Sequence, residues 1–147
     1  MNRLFPPDEA PPWDMAHRRR GHIEACRTGR SRRQAVGDAL QGLCDAWRTQ
    51  PNLRLHVVAG FCVIGFGVCI RLSLIEWLWV SFAIGLVIFA ELMNTAIEQT
   101  VDLIVGLRPD PLARRIKDVA AGCVLVATLL SIAIQTLTFI PHLLTGL

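Results

Sequence analysis

The stretch WLWVSFAIGLVIFA, Trp77–Ala90, carries no charge, and ELMNTAIEQTVDLIV, Glu91–Val105, follows it at once. Both halves keep one helical period, so they read as a single long helix, apolar first and acidic second. At 100° per residue, Glu98 falls about 20° to one side of Glu91 and Asp102 about 20° to the other. Asn94 and Thr95 flank that line, while Ile97, Val101 and Ile104 point elsewhere. Glu91 follows directly on the uncharged run, which sets it near the inner boundary of a bilayer. A carboxylate at that depth is costly; such residues face a bundle interior and mark a site.

Working outward, two more apolar runs accompany the first. Leu55 to Ile70 is extendable to Leu72 or Leu74, and Val119 to Ile140 is uncharged, with Pro141 expected to end it. A membrane helix needs about 20 residues. The sequence therefore predicts an all-α membrane protein with transmembrane helices over about 53–72, 75–105 and 117–140. Composition agrees: 52% of the 147 residues are hydrophobic and only 18% charged, against about 25% charged in an ordinary soluble domain. Trp77 and Trp79 sit where an interfacial aromatic belt would sit. The five cysteines lack CxxC spacing and read as small apolar fillers rather than a zinc site.

Charge placement predicts topology. Ten of the 15 Lys and Arg lie between Arg3 and Arg54, and Arg108, Arg114, Arg115 and Lys117 form a second group; only Arg71 lies elsewhere. The positive-inside rule puts both groups in the cytoplasm, with the N-terminus in and the C-terminus out. Residues 1–30, with their prolines and the triplet Arg18-Arg19-Arg20, predict a disordered basic tail without a secretory signal, and 31–147 the membrane domain. Over 32–48, Val36, Leu40, Leu43 and Trp47 share one face opposite Gln34, Asp38, Gln41 and Asp45. This predicts an amphipathic helix able to lie on a membrane surface or to pack on protein.

Three carboxylates on one wall repel one another and call for a cation, most simply a divalent metal on hard oxygen ligands. Lys117 and Asp118 are expected to open the third helix, where a lysine and a helix N-terminus both favour phosphate oxygens. No GxxxxGK[ST] or GxGxxG motif is present, and the residues alone specify no nucleotide.

The segment ELMNTAIEQTVD, Glu91–Asp102, closely resembles the signature of the prokaryotic diacylglycerol kinase family, which includes undecaprenol kinases. Its pattern is E-[LI]-[LM]-N-[ST]-A-I-E-x-x-V-D. A second family block, K-D-x-A-[AS]-[AG], is similar to Lys117–Gly122, and Leu72–Trp77 is similar to the undecaprenol kinase branch. The likeness covers roughly residues 32–141.

This resemblance implies a homotrimeric membrane lipid kinase of bacterial inner membranes. It would use ATP with Mg2+ on undecaprenol in preference to diacylglycerol, with no nucleic-acid partner. It implies Glu91 as catalytic base, Glu98 as a metal ligand, and Asp102 as support. Asn94, Glu98, Arg108, Lys117 and Asp118 would serve ATP, and Arg32 (or Arg33) and Trp47 would join Glu91 at the lipid substrate. One departure stands out: Gln50 occupies the place of a family glutamate that helps hold the metal. Gln50 keeps a carbonyl oxygen but no charge, so a homologue that binds nucleotide and lipid without efficient turnover is the alternative. An ion carrier, suggested only by intramembrane carboxylates, is the third.

Overall fold

A computed structural model describes residues 31–106 and 108–145, among which there are four helices and no strand. The predicted tail over 1–30 lies outside the described residues. The chain divides into two compact units, Met1–Leu43 and Cys44–Leu147. Helix α1 (Arg32–Thr49) crosses that division, α2 is Pro51–Cys69, α3 Leu74–Val105 and α4 Pro111–Thr145. The last three are long and apolar enough to cross a membrane.

The longest helices outrun a bilayer. At 1.5 Å per residue the 32 residues of α3 reach about 48 Å, against a hydrocarbon core of about 30 Å. Glu76 and Glu91 bracket its uncharged part, about 22 Å by the same rise. That is shorter than the hydrocarbon core, so the uncharged part of α3 fits within a bilayer with Glu76 and Glu91 at its two ends.

α2 follows α1 after Gln50, whose backbone is extended, with Pro51 pre-set for the first helical turn. Leu53, Gly60 and Gly67 are its buried residues and recur every seven positions, forming the seam turned to the neighbouring helices. Gly60 lets the helices approach closely there: a Cβ would stand 3.1 Å from Cγ2 of Ile84 on α3, which would have to give by a few tenths of an ångström. Between α2 and α3 the chain turns through Arg71, whose φ of 57° is left-handed. Ser73 then caps α3 through a reciprocal pair with Glu76. Ile70, Leu72 and Val80 form a small core around this hairpin, with Phe139 of α4 against it, and Phe66 meets Phe139 edge-on at 5.1 Å.

At the other end, Gly106 (φ 62°) closes α3, its N–H donating to the Asp102 carbonyl. Asp110 opens α4, its Oδ1 accepting from the N–H groups of Leu112 and Ala113 at 2.7 and 3.0 Å.

Two sequence expectations about α4 need correction. The helix does not begin at Lys117; an Asp cap followed by Pro111 starts it earlier, so Lys117 lies about 9 Å inside and gains little from the helix end. Nor does Pro141 end it: proline costs a backbone bond, yet the helix runs on to Thr145. The reason is tertiary, since His142 Nε2 lies 2.8 Å from Glu76 Oε1 and draws the last turn onto the hairpin. The four described cysteines are free and exposed, on outer faces rather than in the core.

Candidate active site

The buried wall of α3 begins with Val80, Ala83 and Val87 and continues without a change of phase into Glu91, Asn94, Thr95 and Val101. The expected acidic stripe is thus the continuation of the packing face. Its members differ in depth. Glu91 is 4% exposed, Glu98 half-buried and Asp102 exposed. Val101, expected to point elsewhere, is buried in place of Asp102, because it repeats the direction of the buried Ala83 about five turns earlier, on the Asn94 side of the stripe.

Each acidic group has its own partner. His56 on α2 brings Nε2 to 3.2 Å from Glu91 Oε1. Asn94 Nδ2 donates to Glu98 Oε1 at 3.0 Å, one turn along the same wall. Lys117 Nζ donates to Asp102 Oδ1 at 2.5 Å across the α3–α4 seam. Thr95 Oγ1 donates to the Glu91 carbonyl oxygen, which ties its hydroxyl back onto the helix. Asn94 Oδ1 is buried and has no partner among the described residues. A buried carbonyl oxygen left unpaired costs about 1–3 kcal/mol.

Beyond Asp102 the wall opens into a cleft of about 400 Å³ at the α3–α4 turn. Asp102, Arg108, Lys117 and Asp118 all line it, with Arg114 and Asp110 beside them. Four of the residues expected to serve the nucleotide site or support it are therefore brought to one concavity. Lys117 is half-buried and engaged by Asp102, so only part of its three-donor capacity faces the cleft. Asp118 lies 4.0 Å from Arg114, an exposed pair of little strength.

The remaining expected residues lie apart from this cleft. Trp47 is 44% exposed, and Gln50 is half-buried at the α1–α2 junction with its amide unused for capping. Arg32 is the exposed first residue of α1 and belongs to the other unit. Among the described residues no group of three or more His, Cys, Asp or Glu side chains is placed to hold a metal. The donor set still suits a small hard cation. Mg2+ keeps several waters and takes one or two protein carboxylates together with phosphate oxygens, and Glu98 beside the unpaired Asn94 Oδ1 offers such a half-site.

Sequence reasoning missed His56, Asp110 and Arg114. A signal existed for two of them: His56 is an imidazole inside an otherwise apolar run, and Asp110-Pro111 is an N-cap followed by an N1 proline. Arg114 had none beyond its helical spacing from Lys117.

Fold and site together define a small helical membrane protein whose carboxylate wall leads from a buried Glu91 to a charged cleft. Residues 37–139 match the model of the prokaryotic diacylglycerol kinase family. The chain is 42% identical over 105 residues to undecaprenol kinase of Bacillus subtilis (strain 168), covering 71% of this chain and 85% of that protein. It is 36% identical over 107 residues to diacylglycerol kinase of Synechocystis sp. (strain ATCC 27184 / PCC 6803 / Kazusa), covering 73% of this chain and 61% of that one. The chain belongs to the prokaryotic diacylglycerol kinase family and is a membrane lipid kinase. Gln50 lies within the matched span and Arg32 outside it.

Proposed function

We propose that this protein transfers the γ-phosphoryl group of ATP to the hydroxyl of a membrane lipid alcohol, undecaprenol in preference to diacylglycerol. The observation that carries the reading is the graded wall of α3: a buried carboxylate where the apolar run ends, a half-buried one next, then a charged cleft. A lipid hydroxyl arrives from the membrane side and a water-soluble nucleotide from the cleft, so one helix face can hold both reactants. The lipid preference is supported by the Leu72–Trp77 likeness and by the higher identity and fuller coverage against the undecaprenol kinase.

In this reading Glu91 accepts the hydroxyl proton as the lipid oxygen bonds to the γ-phosphorus and the bond to the β-phosphate oxygen breaks, releasing ADP. Phosphoryl transfer relies mostly on positioning and on charge neutralisation, with a carboxylate taking the nucleophile's proton. Glu98, with Gln50 as a neutral second donor, would hold Mg2+, which supplies charge neutralisation on the phosphates when bound. Arg108, Lys117 and Asp118 would hold the nucleotide from the cleft and Asn94 from the wall. Asp102 pairs with Lys117, and Trp47 would contact the lipid. Residues 31–147 form the kinase domain, placed in a bacterial inner membrane with the cleft and N-terminus cytoplasmic and the C-terminus outside. A homotrimer would complete the site.

The test is transfer of labelled phosphate by the full chain in detergent micelles, with undecaprenol and diacylglycerol at equal mole fraction. Undecaprenyl phosphate should predominate, and Glu91→Gln should lower the rate by roughly 100-fold or more, as for loss of a general base. A wild-type rate in that variant would show that Glu91 is not the base.

A further inference from the structure

The feature that the proposed mechanism leaves unused is His56. It lies on α2, in an apolar helix, with Nε2 at 3.2 Å from Oε1 of Glu91. Its own side chain is 22% exposed and that of Glu91 5%. His56 also lines a cavity of about 290 Å³ between α2, α3 and α4, together with Val87, Thr128, Ser131 and Gln135. His56 thus both meets the buried carboxylate and lines this cavity.

Chance placement is a poor account of this. An imidazole inside a membrane helix is expensive unless it has a partner, and the partner it meets comes from another helix, 35 positions along the chain (91 − 56). The contact depends on close approach of α2 and α3, for which Gly60, one turn from His56, supplies the room against Ile84.

We propose that His56 is the positioning residue for Glu91, its ring N–H fixing Oε1 so that Oε2 is aimed at the acceptor hydroxyl. This rests on the reading of Glu91 as the base. A glutamate side chain has three rotatable bonds, and a carboxylate free to turn presents its lone pair to the hydroxyl for only part of the time. Holding one oxygen leaves the other with a fixed direction, which is the form in which orientation contributes to rate. Contacts of this kind are often long before substrate binds and shorten in the reacting complex, in keeping with the 3.2 Å separation. The class of substrate follows from the site: a primary or secondary alcohol carried on an apolar chain, whose hydroxyl comes within reach of Glu91 beside the ring.

The experiment compares wild type, Glu91→Gln, His56→Leu, His56→Gln and the double variant as full chains in micelles, measuring kcat and KM for ATP separately and recording the melting temperature. A glutamine amide can place its nitrogen near the Nε2 position; leucine cannot. The expected result is a fall in kcat of tenfold or more for His56→Leu with KM for ATP within twofold. His56→Gln should recover kcat to within about threefold of wild type. The double variant should be no slower than Glu91→Gln, because a residue acting through another loses its effect when that other is gone. Should His56→Leu fail to fold, His56→Asn replaces it, since its amide reaches only the Nδ1 position.

The inference is overturned if His56→Leu keeps kcat within twofold, if His56→Gln is as impaired as His56→Leu, or if the two defects multiply in full. Retained activity in Glu91→Gln instead overturns the assignment of the base itself. The two failures are therefore told apart by which single variant stays active.

Discussion

Replacing Asn94 with alanine separates what this residue does for the fold from what it does for the reaction. Its amide nitrogen donates to Glu98 at 3.0 Å, while its Oδ1 is buried without a partner. A hydrogen bond to a charged group contributes about 1.5–3 kcal/mol, and an unpaired buried acceptor costs about 1–3 kcal/mol. Asn94→Ala removes both at once, so the two contributions offset to within roughly 1 kcal/mol. The melting temperature in detergent should shift by about 4 °C or less. Activity is not offset in this way. If Oδ1 is unpaired because it receives the nucleotide or its metal shell, kcat/KM for ATP should fall tenfold or more, about 1.4 kcal/mol of lost transition-state binding. Thermal melting and initial-rate kinetics on the same micelle preparation decide it. A drop of more than about 8 °C would show that the Asn94–Glu98 pair is structural. An unchanged kcat/KM would show that the orphaned oxygen awaits nothing.

Three further outcomes follow from the same geometry. Gly60→Leu forces a side chain into the space held by Ile84 and should destabilise the α2–α3 packing by about 1–3 kcal/mol; Gly85→Ala, which meets nothing within 4 Å, should melt at or slightly above wild type. Asp110→Ala removes the cap of α4 and should cost about 0.5–2 kcal/mol in chemical unfolding; no change would mean that the cap is replaced by water. Gln50→Glu restores a charge at the proposed metal site and should lower the magnesium concentration giving half-maximal rate; an unchanged or raised value would remove Gln50 from that site.

The spans were legible because all 15 basic residues lie outside the uncharged runs that fill them, and because helical period carries through Glu91 without a break. That continuity also placed Glu91, Asn94 and Glu98 on one wall, where the structure has them. The ends were less legible, since they depend on local chemistry that hydropathy does not see. Asp110-Pro111 starts α4 two turns before the apolar run begins, and the His142–Glu76 contact carries it past Pro141. His56 could not be assigned a partner from α2 alone. Nothing in its neighbours states which residue of α3 it will meet, because that depends on the crossing of two helices at Gly60. The pairing of Lys117 with Asp102 is similar: both were marked for the site, but the contact that ties them appears only when α3 and α4 are laid side by side.

The continuity of the α3 wall explains how so small a membrane protein can fix the direction of catalytic groups at all. Val80, Ala83 and Val87 are buried against the neighbouring helices, and they settle the rotation of α3 about its axis. A helix is stiff over a few turns, so that rotation is handed on to Glu91, Asn94 and Glu98 in steps of three and four residues. A slip of a single residue between Val87 and Glu91 would turn the whole polar half by 100°. Asn94 would then take the direction now held by Met93, which is 46% exposed, and Glu98 that of Ile97. The polar groups would leave the buried wall that leads to the cleft, while the apolar half stayed packed. Apolar packing on the hairpin side and the chemistry beside the cleft are therefore one structural feature, and the uncharged stretch Trp77–Ala90 is as much a part of the site as the carboxylates it aims.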